Sequence, residues 1–188
     1  LFAKAREAYL CAVQAEDKTG RVPIKDIEQL ANVESRLGER TNDEALIRCG
    51  LDRLAQLDQL VAAGAADAPT NAERCALRGS AWKRLANVHA RHVLTPGLSA
   101  AAVRAAGAQM TQALVESVRA YAQAEGVPGQ ARFEPYLALN RLALDALTPW
   151  TSDAARDAAL DLAQRCAEAA GEAFRRDGQF FSAVMQPE

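Results

Sequence analysis

Residues 75–86 read CALRGSAWKRLA, and the positions of Cys75, Gly79 and Trp82 set a large, a small and an aromatic residue at steps of four and three. That spacing keeps all three on one face of a helix. A glycine inside a helix costs about 1 kcal/mol relative to alanine, so the close approach of a second helix explains Gly79 better than flexibility does. The same steps recur elsewhere. Ser117, Tyr121 and Ala124 give a small, aromatic, small set, as do Ala5, Tyr9 and Ala12. Tyr136, Leu139, Asn140 and Ala143 fall at similar intervals.

Outward from this stretch, the chain reads as a series of helices. Phe2, Ala5, Tyr9, Ala12 and Val13 recur at helical spacing from Leu1 to about Gln14, before Gly20. Pro23 can open a second helix, whose stripe of Ile24, Ile27, Leu30, Ala31 and Leu37 ends before Gly38. Thr41 and Asn42 offer caps for a third, with Asp43 and Glu44 in its first turn and Leu46 to Val61 leading to Gly64. Thr70 or Asn71 can cap a fourth over Ala72 to about Ala90. Ser99 can cap a long fifth helix up to Gly126, with Gly107 its weak point. Phe133 to Leu147 make a sixth before Pro149, and Ser152 caps a seventh that runs to Phe174 or Arg176. Gln179 to Val184 can begin an eighth.

Of the 188 residues, 49% are hydrophobic, 24% charged and 5% aromatic, a composition that supports a folded core. Alanine and leucine dominate, while isoleucine occurs only at Ile24, Ile27 and Ile47, which favours helices and disfavours a sheet. The expected fold is all-α. The 22 basic and 24 acidic side chains leave no electrostatic footprint for nucleic acid. Neither a membrane span nor a signal peptide is visible, so a cytoplasmic location is expected. Leu1 opens directly into helical periodicity, as expected of a fragment of a longer protein. Cys11, Cys49, Cys75 and Cys166 have no zinc-knuckle or redox spacing and read as buried free thiols.

The alternation of helices resembles tetratricopeptide repeats, in which a first helix holds a small residue for close packing and a second holds the small, aromatic, small set. On that phase residues 1–16 form half a repeat, the spans 23–64, 71–126 and 132–177 form helix pairs, and 179–188 start a further helix. Together they make one short α-solenoid domain over 1–188. The helices exceed the family's usual length, and Arg78 stands where a leucine is expected. Three phrases carry a narrower likeness: Glu28 to Asn32, Gly79 to Ala86, and Tyr136 to Asn140. They are similar to the repeat sensor region of bacterial conflict-signalling proteins that carry caspase-like or other effector domains, a region related to the TRAF-binding part of apoptosis-signal-regulating kinases. The resemblance implies a non-enzymatic sensing or docking segment beside an effector that lies elsewhere.

In such stacks the first helix of each pair lines the concave face. Counting from the small residues places Asn32, Arg36, Ser80, Lys83, Arg84 and Arg141 there, with Glu28, Glu73 and Glu134 nearer the helix starts. A polar and locally basic surface of this kind suits a carboxylate or a phosphate, through charge-assisted and bidentate hydrogen bonds. A protein partner, an acidic peptide or a small anionic, nucleotide-like ligand would fit it. Ordinary solvated helix faces, with intrahelical pairs such as Glu28 with Asn32, are the competing reading. Neither a phosphate loop, a nucleophile elbow nor a dinucleotide fingerprint appears, and no cofactor is expected. His89 and His92 could share a metal, and Glu73 and Asp145 could be imagined as acid and base. An exposed helix end for the histidines and solvated surface for the carboxylates fit better. Trp82 reads as core filling, and Trp150 as either core or partner anchor. Phe180 and Phe181 read as packing under a following repeat. The functional expectation is an interaction or sensor module. A structural spacer and a small metal-dependent helical hydrolase are the alternatives.

Overall fold

A computed structural model describes residues 1–17, 23–64, 72–125, 135–147 and 152–178. Among the described residues there are seven α-helices and no strand: α1 (Phe2–Asp17), α2 (Ile24–Thr41), α3 (Glu44–Ala62), α4 (Ala72–Val93), α5 (Ala100–Glu125), α6 (Pro135–Asp145) and α7 (Asp153–Asp177). Each helix packs on the next in the chain, and α2 also meets α4. A contact between alternate helices is what a stack of antiparallel pairs produces, since the leading helices of adjacent pairs lie side by side. The expected eighth helix, Trp150, Glu134, Phe180 and Phe181 lie outside the described residues.

The helix ends show which local signals governed the chain. Ser99 caps α5 and Ser152 caps α7, their hydroxyls accepting from the backbone N–H of Ala102 at 3.2 Å and of Ala155 at 3.1 Å. The α2–α3 turn departs from the expectation. α2 continues through Gly38 to Thr41, and Asn42 takes the left-handed conformation (φ 57°) that ends it. Asp43, not Thr41 or Asn42, caps α3, its carboxylate accepting from the Leu46 N–H at 3.1 Å. Gly38 is thus a packing glycine and not a stop. A Cβ there would stand 2.6 Å from Ile47 Cγ1 and 2.7 Å from the Asp43 carbonyl oxygen. Gly107 does not interrupt α5.

Two apolar clusters hold the stack. One joins Ile47 and Leu51 of α3 to Ala81, Leu85 and Val88 of α4 and Ala113 of α5, with Trp82 packed against its edge. The other joins Cys75 of α4 to Tyr121 and Ala124 of α5 and to Leu137 and Leu144 of α6. Between them Gly79 meets a second helix closely, as expected, and the residue it meets is Tyr121. An added Cβ would lie 2.9 Å from two carbons of the Tyr121 ring, and the Ser117 hydroxyl donates to the Gly79 carbonyl at 2.7 Å. Gly50 of α3 does the same against α2, where a Cβ would stand 2.7 Å from the Ala31 carbonyl oxygen. The cysteines are more varied than expected: Cys75 and Cys166 are buried, Cys49 is half-buried and Cys11 is exposed, all as free thiols.

The polar interior is the main feature that hydrophobic periodicity does not reveal. Glu28 and Glu34 of α2 are fully buried. Glu34 accepts from Arg6 of α1 at 3.1 Å and from Arg53 of α3 at 2.8 Å. Glu28 accepts from Arg74 of α4 at 3.0 Å, and Arg74 also reaches Asp58 of α3 at 2.9 Å. Arg78, at the position where the repeat pattern expects leucine, pairs with the same Asp58. Glu28 therefore belongs to the interior and not to an open face. His89 is also buried rather than at an exposed helix end.

Three outcomes follow from this packing. Gly79→Ala should lower stability by about 1–3 kcal/mol, because overpacking against the Tyr121 ring outweighs the gain in helix propensity; urea unfolding measures it. Arg74→Ala leaves the buried Glu28 carboxylate paired with Lys25, at 3.2 Å, and should cost up to about 3–5 kcal/mol, part of which Glu28→Gln on the same background restores. Burial holds the His89 imidazole below its ordinary value of 6.5, outweighing Glu44, while Arg48 and His92 push it the same way. The unfolded chain then takes up the His89 proton more readily than the folded one. The stabilisation is complete above pH 6.5 and is lost as pH falls through the region below it. Equilibrium unfolding of His89→Gln, compared with the parent at pH 7 and about one unit below 6.5, should show a smaller acid loss in the variant.

Candidate functional site

The facing sides of α2, α4 and α6 bring most of the expected site residues into one cluster. Arg36 of α2 donates from Nε to Asn32 Oδ1 at 3.2 Å. Arg84 of α4 pairs with Glu39 of α2 at 3.3 Å and also donates to the Ser80 hydroxyl one turn back. Lys83 of α4 points the other way along the row, its Nζ donating to Asn140 Oδ1 of α6 at 2.6 Å. The Asn140 amide is itself oriented by a bond from Nδ2 to the Tyr136 carbonyl at 2.8 Å. Lys83 Nζ also stands 5.9 Å from the centroid of the Tyr121 ring, within cation–π range.

The electrostatics of this cluster are lopsided. Burial lowers the Lys83 ammonium from its ordinary value, and the neighbouring Arg84 charge lowers it further against a weaker pull from Glu39. Arg84 is lowered in the same way, by burial first and then by Arg36. Arg84 therefore feels both Lys83 and Arg36, and the carboxylate that draws on Lys83 and Arg84 is Glu39. That carboxylate is shared, since its Oε1 also accepts from Asn87 at 2.8 Å. Beneath Lys83, Tyr121 is fully buried, its hydroxyl close to those of Ser80 and Tyr136. Burial, and then the nearby Tyr136, raise this phenol far above its ordinary range, so it remains a neutral donor. A neutral phenol beneath an ammonium can donate to an oxygen of an anion held there.

Arg141 is placed differently from the other five expected residues. It pairs with Glu125 of α5 at 2.9 Å and with Asp145 one turn along α6 at 3.5 Å. Its charge is thus offset by two carboxylates, and its role in the structure is to fasten α6 to the end of α5. Sequence reading had placed Tyr121 purely in packing and had not singled out Glu39 as a partner. The signal for Tyr121 was its phenol, because a helix-packing aromatic with no polar duty could as well be phenylalanine.

A cleft of about 580 Å³ lies beside the cluster. Its walls come from Asn87 and Ala90 of α4, Met110, Leu114 and Val118 of α5, and Leu144 of α6. Elsewhere, Glu73 pairs with Lys25 at 2.6 Å while Asp145 pairs with Arg141, so these two carboxylates share no partner in the pairs that hold them. His89 and His92 rings sit 6.4 Å apart, edge to face. Asn42 of the α2–α3 turn lies 3.1 Å from His92 Nε2. Among the described residues no group of three or more His, Cys, Asp or Glu could hold a metal, and no helix is long and apolar enough to cross a membrane.

The family model described as Tetratricopeptide Repeats-Sensor matches residues 1–147. Neither a curated protein nor a solved structure matches the chain.

Proposed function

For a chain that belongs to the Tetratricopeptide Repeats-Sensor family, a repeat module of interaction and sensing, we propose that the face of Arg36, Lys83 and Arg84 receives an anionic group. The group is carried by a partner protein, an acidic peptide or a small ligand, and its arrival regulates an effector domain elsewhere in the full protein. The module itself is non-enzymatic in this reading and works in the cytoplasm. One observation carries it: Arg84 stands between the like charges of Lys83 and Arg36 and pairs with Glu39, while Lys83 Nζ lies over the Tyr121 ring and is held by an amide oxygen.

The physical case is one of incomplete pairing. Where a cation in this chain serves the fold, carboxylates answer it, as Asp58 and Glu28 answer Arg74. Lys83 has an amide oxygen instead. Like charges held together in a partly buried position cost stability, and an anion placed among them removes that cost. Binding and the relief of repulsion then act in the same direction. The row spans α2, α4 and α6, so an anion held there would bear on the relative placement of the helix pairs. That gives a route by which occupancy reaches a neighbouring domain.

Isothermal titration of the chain with an oligoglutamate peptide and with pyrophosphate tests this reading. Saturable binding should appear at low ionic strength, weaken as salt rises, and fall at least about tenfold in the Lys83→Ala, Arg84→Ala double variant, through loss of charge-assisted hydrogen bonds. Circular dichroism should show the variant as helical as the parent. Equal heats from both proteins would leave a spacer role for the stack instead.

A further inference from the structure

The apolar cleft and the cation cluster are one continuous surface, and the continuity follows from helix spacing. Lys83, Asn87 and Ala90 follow one another at steps of four and three on α4, so they line one face. Asn140 and Leu144 do the same on α6, and Lys83 bonds directly to Asn140. On α5, Leu114 and Val118 lead at helical steps to Tyr121, whose ring lies under the Lys83 ammonium. Two walls of the 580 Å³ cleft, α4 and α6, therefore run within one helical turn into the charged cluster, and the third, α5, leads to the buried Tyr121 beneath it. Four residues of helix advance about 6 Å, which is the separation between the polar end and the start of the apolar floor.

We infer that the occupant of this surface is a small amphiphilic anion, with an oxyanion head at Lys83 and Arg84 and an aliphatic or aromatic body in the cleft between α4, α5 and α6. This rests on the reading of the charged face as a binding site and names the class of ligand it takes. The cleft lies within the range of volume that holds small organic ligands. Its floor of Met110, Leu114 and Val118 offers dispersion and no hydrogen bonds, while Asn87 and Thr111 at its lining are the only uncharged side-chain amide and hydroxyl there. Charge complementarity fixes the orientation. The head meets Lys83 and Arg84, whose nearby carboxylate is Glu39, and the opposite end is kept by Asp145, already engaged with Arg141. Methionine and leucine adapt to bodies of different shape, so the head is read by geometry and the body by size.

Octanoate, acetate and pyrophosphate, each below any self-association, are the probes, with binding followed by titration calorimetry and by methyl shifts of Met110 and Leu114. Octanoate should bind at least about tenfold more tightly than acetate, because additional methylenes leave water. Lys83→Ala should weaken octanoate while leaving the methyl shifts of the empty protein unchanged. Val115→Glu, an exposed position at the cleft edge, should weaken octanoate and spare pyrophosphate. Acetate and octanoate binding with equal strength, or octanoate insensitive to Val115→Glu, would overturn the amphiphile while the anion reading stands on pyrophosphate. Failure of all three probes to bind would remove both.

Discussion

The absence of a side chain at Gly79 lets the Tyr121 ring lie directly on the backbone of α4, and much else in the molecule depends on that approach. A methyl group there would meet the ring at 2.9 Å, so α4 and α5 could not close to this distance around any other residue without moving. The Ser117 hydroxyl then reaches the Gly79 carbonyl, locking the register of the two helices. Closure at this depth also sets the phenol beneath Lys83, one turn along the same face of α4, and beside Tyr136. A packing contact in the middle of a helix pair thereby supplies the buried donor of the candidate site.

A second constraint works on the first half of the chain. α2 carries two carboxylates into the interior, and each is met by guanidinium groups from other helices: Arg6 and Arg53 for Glu34, Arg74 for Glu28. Buried pairs of this kind contribute little net stability when complete and cost much when broken. Their effect here is directional, since Arg74 joins α2, α3 and α4 at one point through Glu28 and Asp58. Arg78, which departs from the repeat pattern, is explained by the same acid. The small-residue seams set how closely helices approach, and the ion pairs set which helices may be neighbours.

These two devices leave a particular surface between them. Charge is nearly balanced through the interior, yet the row of α2, α4 and α6 retains a local excess of cations. The neighbouring cleft is floored by Met110, Leu114 and Val118 of α5 between α4 and α6. Apolar surface thus stands next to the cation row.

The all-α class, the helix series, the Ser99 and Ser152 caps and a close helix approach at Gly79 were all legible from the residues, because periodicity and cap chemistry are local properties of the chain. The small and aromatic spacing leads to an expected phase of the pairs and an expected shared face for Asn32, Arg36, Ser80, Lys83, Arg84 and Arg141, of which Arg141 is engaged by Glu125 and Asp145. The burial of Glu28, Glu34 and His89 was not legible, since a carboxylate on a helix face looks solvated until another helix brings an arginine to it. Asn42 took the stop that local signals gave to Gly38, and Asp43 the cap they gave to Thr41 or Asn42, because the passage of α3 over Gly38 is a tertiary event. Arg141 shares its helix face with nothing in the sequence that announces Glu125 as a partner. Which charges are answered and which are left over is decided only when side chains from separate helices meet, because electrostatic pairing depends on distances that the order of residues does not contain.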